Sequence, residues 1–156
     1  MTHQQSYKSP VGDLIIKADD FAITEIKFGT SPIENKSPLT ERAVAQLDEY
    51  FGSRRNDFDL PLMPKGTEFQ RAVWEELIKI PISKTFSYVQ LAELVGKPKA
   101  ARAIGGAVGA NPIAIVIPCH RVLASDGKIT GYTGGDGIKT KQSLLKLEGA
   151  LVESSS

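Results

Sequence analysis

The chain is predicted to hold two successive units: a small α+β unit over residues 1–64, then a helical unit over 65–152, with 153–156 a frayed tail. Three observations predict this order. Residues 13–29 carry apolar side chains in partly alternating, strand-like runs, and one amphipathic helix follows them. Leu60-Pro61-Leu62-Met63-Pro64 reads as an extended linker. From Thr67 onward the pattern is helical, with two capping boxes and a pair of short helices joined through a glycine.

In the first unit, Leu14, Ile15 and Ile16 form one predicted strand, Ala18-Asp19-Asp20 a turn, and Ile23, Ile26 and Phe28 a second strand. Gly29 to Pro38 is polar and broken by Pro32, Asn35 and Pro38. Leu39, Ala43, Val44, Leu47, Tyr50 and Phe51 share one helical face, with Gly52 placed to end the helix. No chemical motif appears here, so the unit reads as a support.

In the second unit, Thr67 and Gln70 can satisfy each other's orphan amides, opening a helix with Phe69, Val73, Trp74 and Leu77 that runs to about Ile80. Ser87 and Gln90 repeat the device, starting a short helix through Leu91, Leu94 and Val95 that Gly96 closes. Lys97-Pro98 is expected to start a third helix running to Asn111-Pro112. This is a helix-turn-helix pattern, able to set its second helix in a DNA groove. Ala101, Gly105 and the other small residues of that helix allow close backbone approach, while Lys97, Lys99 and Arg102 supply charge for phosphates. Ile138, Leu144, Leu145 and Leu147 predict a last helix ending at Glu148-Gly149, where an acid opposes the helix dipole and calls for a partner.

Composition excludes several classes. A hydrophobic share of 41% over 156 residues is ordinary for a globular chain with a core. No run is long enough to span a bilayer, and residues 1–12 lack a secretory apolar region. The single cysteine permits no internal disulfide, which fits a cytoplasmic location, or the nucleus in a eukaryote. His3, Cys119 and His120 are too few to build a structural zinc site. Net charge is +1, but residues 1–64 carry 7 basic and 10 acidic groups whereas 65–152 carry 12 and 7. The Gly131-Tyr132-Thr133-Gly134-Gly135 loop lacks the spacing of a P-loop or dinucleotide fingerprint, so a nucleotide cofactor is rejected.

The sharpest signal is Ile115-Val116-Ile117-Pro118-Cys119-His120-Arg121-Val122. A buried apolar segment runs into a proline that stops any ladder, then into a thiol followed by His120 and Arg121. Both neighbours could favour a thiolate, and neither suits an inert core, so Cys119 is read as a nucleophile rather than a packing residue.

Pro118-Cys119-His120-Arg121-Val122, with Ala101-Arg102-Ala103-Ile104-Gly105-Gly106-Ala107, Asn111-Pro112, Tyr132-Thr133-Gly134-Gly135 and Leu144-Leu145-Lys146-Leu147-Glu148-Gly149, resembles the O6-alkylguanine-DNA alkyltransferases. The resemblance covers the second unit in order, while the first matches only in size and strand-helix pattern. It implies a ribonuclease-H-like first domain and a winged-helix-like DNA-binding second domain. It implies direct-reversal repair of double-stranded DNA. The alkyl group passes from O6 of guanine, or O4 of thymine, to Cys119 as a thioether, once per molecule, after the base is flipped out. In that family the helix docks in the minor groove.

The resemblance also assigns roles. His120 polarises Cys119 through a water and Glu148 orients His120, a Cys-His-acid version of triad logic. Arg102 fills the gap left by the flipped base. Tyr88 crowds the 3′ phosphate and donates a proton as guanine leaves. Asn111 braces the loop around Cys119, whose main chain with that of Val122 reads the guanine amine. The Thr133 amide reaches O6, and Val108, Tyr132 and Ala114 set pocket size. Arg121, Lys99, Ala101 and Gly105 complete the expected DNA surface. Zinc-binding members use first-domain Cys and His residues absent here, so no metal and no cofactor are expected, and the protein is expected to act as a monomer. Two rival classes, a non-catalytic module that flags alkylated DNA and a repeatedly acting cysteine hydrolase, suit the Cys119-His120 pair less well.

Overall fold

A computed structural model describes residues 2–124 and 135–150. The order is β1 (His3–Ser9), β2 (Gly12–Ala18), β3 (Ile23–Phe28), α1 (Pro38–Phe51), α2 (Glu68–Ile78), β4 (Phe86–Ser87), α3 (Tyr88–Leu94), α4 (Ala101–Gly109), β5 (Val122–Leu123) and α5 (Ile138–Leu147), with a 3₁₀ turn at Cys119–Arg121.

Strands β1, β2 and β3 form an antiparallel meander, and α1 lies across β1 and β2. The sequence pattern yields only two strands here. β1 escapes it because His3–Ser9 is almost wholly polar and buries one residue, Gln5. An edge strand with a single covered face needs no apolar alternation. Pro38 does not break the chain but opens α1: it stands at the first helical turn behind Ser37, whose side chain and that of Thr40 form a third capping box. At the other end, Gly52 has φ −86°, and the left-handed position falls instead on Ser53 at φ +58°.

The free edge of β3 receives two passing segments. Ile23 bonds Pro61 and Met63, so the linker is an added bridge on the sheet. Ile26 accepts from Ala114 and donates to Pro112, which pins the start of the cysteine segment to the same edge. Leu14, Ile16, Ile26, Leu47 and Tyr50 then join Trp74, Leu77, Ile104, Ile117 and Leu144 in one continuous buried cluster. Such burial is the main favourable term of folding.

Both predicted capping boxes of the second half form, at Thr67/Gln70 and Ser87/Gln90. α2 ends at Ile78, two residues early, and Gly96 at φ +82° terminates α3. Lys97-Pro98 does not start the next helix. Ala100 N–H bonds Lys97 O, closing a turn with Pro98 at its second position, and α4 begins at Ala101. Trp74 Nε1–H donates to Ala107 O at 2.9 Å and ties α2 to α4.

Gly66 packs flat on that indole: a Cβ there would lie 2.4 Å from Cη2 and 2.7 Å from Cζ3 of Trp74, which is 1% exposed. Gly66→Ala should therefore lower the unfolding free energy by about 2 kcal/mol, read as a fall in Tm of roughly 5 °C in a thermal melt.

Candidate active site

The thiol is presented by a run of tight turns rather than by the end of a strand. Val116 N–H bonds Ala114 O across Ile115, whose φ is +72°. This is the rarer, strained kind of γ-turn, on a β-branched residue that is 1% exposed. A second γ-turn follows at Pro118 (φ −82°, ψ 66°), closed by Cys119 N–H to Ile117 O at 2.8 Å. Asn111 braces the loop from inside: its Nδ2 donates to Ile117 O at 2.8 Å and its Oδ1 accepts from Ile113 N–H at 3.0 Å. The continuous ladder implied by Ile113 to Ile117 is absent; the apolar run is consumed in turns.

The 3₁₀ turn has three residues per revolution, so Cys119, His120 and Arg121 leave the backbone in different directions. All three are buried. His120 Nε2 lies 2.7 Å from Glu148 Oε2, while Arg121 donates Nε to Oε1 at 2.8 Å, Nη2 to Oε2 at 3.0 Å and Nη1 to Ile80 O at 2.6 Å. Glu148 caps α5, and Gly149 at φ +77° turns the chain away immediately after it. The acid that opposed the helix dipole thus has two cationic-type partners and a phenol as well: Tyr50 of α1 donates to Oε2 at 2.5 Å.

Electrostatics follow from this packing. Burial alone would raise the Glu148 carboxyl, but the hydrogen bonds and charge of His120 and Arg121 outweigh it and hold it at about 2. An ionised carboxylate only accepts, so the neutral imidazole must carry its proton on Nε2. Burial lowers the His120 pKa, Glu148 opposes, and the charges of Arg121 and Lys141 reinforce the lowering. Nδ1 is then an unprotonated nitrogen, buried and without a hydrogen-bond partner among the described residues. Cys119 is pushed up by burial, against the hydrogen bond from Asn111 and the charge of Lys141. The resting group is therefore a thiol, not the thiolate that its neighbours suggested. A base is needed to activate it.

Arg121 is corrected accordingly. Its guanidinium is turned inward and fully engaged with Glu148 and Ile80, so it does not face DNA. Lys99 and Arg102 are exposed at the start of α4, with Ala101 and Gly105 partly covered beside them. Gly106 and Gly109 face open space. Tyr88 opens α3 half-buried, its ring about van der Waals distance from a Cβ placed on Gly105 (3.9 Å). The parallel pairing of Phe86 with Val122 brings this end of α3 alongside the cysteine turn. Val122 is fully buried. Val108, Asn111, Ala114 and Cys119 line one wall of a cavity of about 710 Å³, whose other wall is Phe28 and Gly29 of the first half. Tyr132 and Thr133 lie outside the described residues. Among the described residues, no three His, Cys, Asp or Glu side chains gather as metal ligands, and no helix is long and apolar enough to cross a membrane.

Two participants escape the sequence reading. Tyr50 was one apolar residue in a helical stripe. Lys141 was one charge among several in α5, yet it is 1% exposed. Its spacing carried a signal, since 141, 144, 145 and 148 fall on one helical face. Burial lowers the Lys141 pKa to about 8, with Cys119 opposing. Lys141 is therefore cationic at neutral pH and favours the thiolate there, and this effect fades above about pH 8 as the amine loses its proton. Lys141→Met should slow iodoacetamide alkylation of Cys119 by about tenfold below pH 8. Lys141→Arg should retain most of the rate, and the gap should close at alkaline pH.

Comparison with known proteins matches two family models: 6-O-methylguanine DNA methyltransferase, ribonuclease-like domain, over residues 3–64, and 6-O-methylguanine DNA methyltransferase, DNA binding domain, over residues 68–150. A methylated-DNA–protein-cysteine methyltransferase of Methanosarcina barkeri is 43% identical over 150 residues, covering 90% of this chain and 93% of the relative. The crystal structure of Mycobacterium tuberculosis O6-methylguanine methyltransferase superposes with TM-score 0.87 at 38% identity, covering 99% of this chain and 96% of that one. The same organism's protein in complex with DNA gives TM-score 0.87 at 40% identity, over 95% and 93%. Two family models that together span most of the sequence, and a relative 43% identical over 150 residues, show that the chain belongs to the 6-O-methylguanine DNA methyltransferase family.

Proposed function

We propose that this protein repairs DNA by moving an alkyl group from O6 of guanine, or O4 of thymine, in duplex DNA to Cys119, once per molecule. The observation that carries the reading is the buried His120–Glu148 pair next in the chain to the buried Cys119, together with the small-residue helix α4 beside which Lys99 and Arg102 are exposed.

The reaction follows from the groups present. Residues 1–64 support and 65–152 bind DNA. α4 enters the minor groove, where its Ala and Gly face brings the backbone close to the duplex, and Arg102 occupies the space of the base that swings out. Tyr88, at the start of α3, crowds the phosphate beside that base. Inside, the base meets Val108 and the main chain of Cys119 and Val122, and by the family resemblance the Thr133 amide reaches O6. Cys119 gives its proton through a water to Nδ1 of His120, the buried nitrogen that has no partner among the described residues. The sulfur attacks the alkyl carbon opposite O6. The S–C bond forms as the C–O6 bond breaks, and the guanine leaves with a proton from Tyr88. Glu148 stabilises the imidazolium that forms. Asn111 keeps Sγ in line by holding the turn. A thioether has no good leaving group, so no step returns the thiol. The protein acts as a monomer, since each chain carries the complete constellation.

Intact mass after mixing with a duplex containing O6-methylguanine tests this. The expected result is a stoichiometric gain of one methylene, absent in Cys119→Ala. Tight binding without mass gain would instead indicate a lesion-flagging module.

A further inference from the structure

We propose that Tyr50, on α1 of the first half, is a positioning residue of the relay, whose hydroxyl holds Glu148 and thereby sets how firmly His120 keeps a proton. This deepens the alkyl-transfer reading and rests on it. The geometry is specific. Oε2 of Glu148 accepts from Tyr50 at 2.5 Å, from His120 at 2.7 Å and from Arg121 Nη2 at 3.0 Å, while Oε1 accepts from Arg121 Nε at 2.8 Å. Donors on one oxygen compete for the same charge, so each weakens the grip of the others. Tyr50 is 98 residues from its acceptor and 1% exposed. Its ring is held edge-on to Phe51 at 5.1 Å and tilted against Phe58 at 5.4 Å, which fixes the hydroxyl in place.

Besides walling the cavity, the first half therefore reaches the site through two sets of hydrogen bonds. The β3 edge pins the segment that leads to Cys119, through the Ile26 bonds to Pro112 and Ala114. Tyr50 pins the acid at the far end of the relay. Among the described residues, Glu148 faces His120, Arg121 and Tyr50; His120 faces Glu148, Arg121 and Lys141; and Cys119 faces Lys141.

The sign of the effect follows. Without the phenol, Oε2 draws the Nε2 proton of His120 more strongly, and the imidazole becomes more basic at Nδ1. A protonated imidazole cannot take the proton of Cys119. The acid limb of the pH–rate profile should then move to higher pH.

The test is the single-turnover rate on an O6-methylguanine duplex as a function of pH, for the full-length wild type and Tyr50→Phe. Iodoacetamide alkylation of Cys119, which needs no DNA, is followed in parallel. In Tyr50→Phe the acid limb should move up by about one pH unit, and the rate below neutrality should fall about tenfold, with duplex affinity unchanged. Gly66→Ala, which destabilises the fold at Trp74 without touching Tyr50 or Glu148, should lower Tm while leaving the profile in place. If Tyr50→Phe does not fold, site-specific 3-fluorotyrosine at position 50, a stronger donor, should move the limb the opposite way. A profile unmoved by Tyr50→Phe or by the fluorotyrosine overturns the proposal. Shifted iodoacetamide profiles with no alkyl transfer by the wild type would support Tyr50 and overturn the substrate reading instead.

Discussion

One buried carboxylate organises this protein. Glu148 is 6% exposed and receives hydrogen bonds from three side chains brought together from α1 and the cysteine turn. A lone buried carboxylate costs several kcal/mol, and the two-pronged Arg121 contact is what makes its ionised form tolerable. Once ionised, Glu148 dictates the rest. It sets the tautomer of His120, consumes the charge of Arg121, and anchors the C-terminal end of α5 against the 3₁₀ turn. Removing it would strand a guanidinium in the interior, so the site and the fold share one support.

The thiol itself is held by strain and bracing. Ile115 keeps a left-handed backbone that a β-branched residue avoids, and the surrounding structure over-determines it through Asn111, the Ile26 bonds and complete burial of its side chain. The result is a sulfur with little freedom, facing a cavity that both halves wall. Its reactivity is conditional. Burial keeps it protonated, the nearby charge of Lys141 opposes that, and in the proposed reaction proton transfer to His120 releases the nucleophile. Positioning replaces a permanently ionised thiol, which in an oxidising moment would be a liability.

What could be read in the sequence was what local chemistry determines. The Thr67/Gln70 and Ser87/Gln90 boxes were legible because four consecutive residues decide them, and Cys119-His120 because two adjacent reactive side chains are rare in a core. Strand β1 was not legible, since its polar residues reveal pairing only once β2 lies alongside. The start of α4 was misplaced because Pro98 fits a helix's first turn and a β-turn equally well, and the choice lies in the Lys97–Ala100 bond. Arg121 reads as a DNA contact by charge alone; its inward direction comes from the 3₁₀ geometry and from an acid 27 residues away. Tyr50 looked like core, and it is core, with one polar atom that matters. Lys141 was hidden because a lysine in an amphipathic helix normally faces water, although its stripe pointed inward.

The chemistry of the site turns on Glu148 holding a neutral His120 with the proton on Nε2, which leaves Nδ1 as the base. The ¹⁵N spectrum of the imidazoles, with His120 assigned by His120→Gln and separated from His3, tests it directly. A pyrrole-like Nε2 and a pyridine-like Nδ1 are expected for His120 at neutral pH, with the imidazolium forming only below the ordinary histidine range. An imidazolium at neutral pH, or a proton on Nδ1, would contradict it.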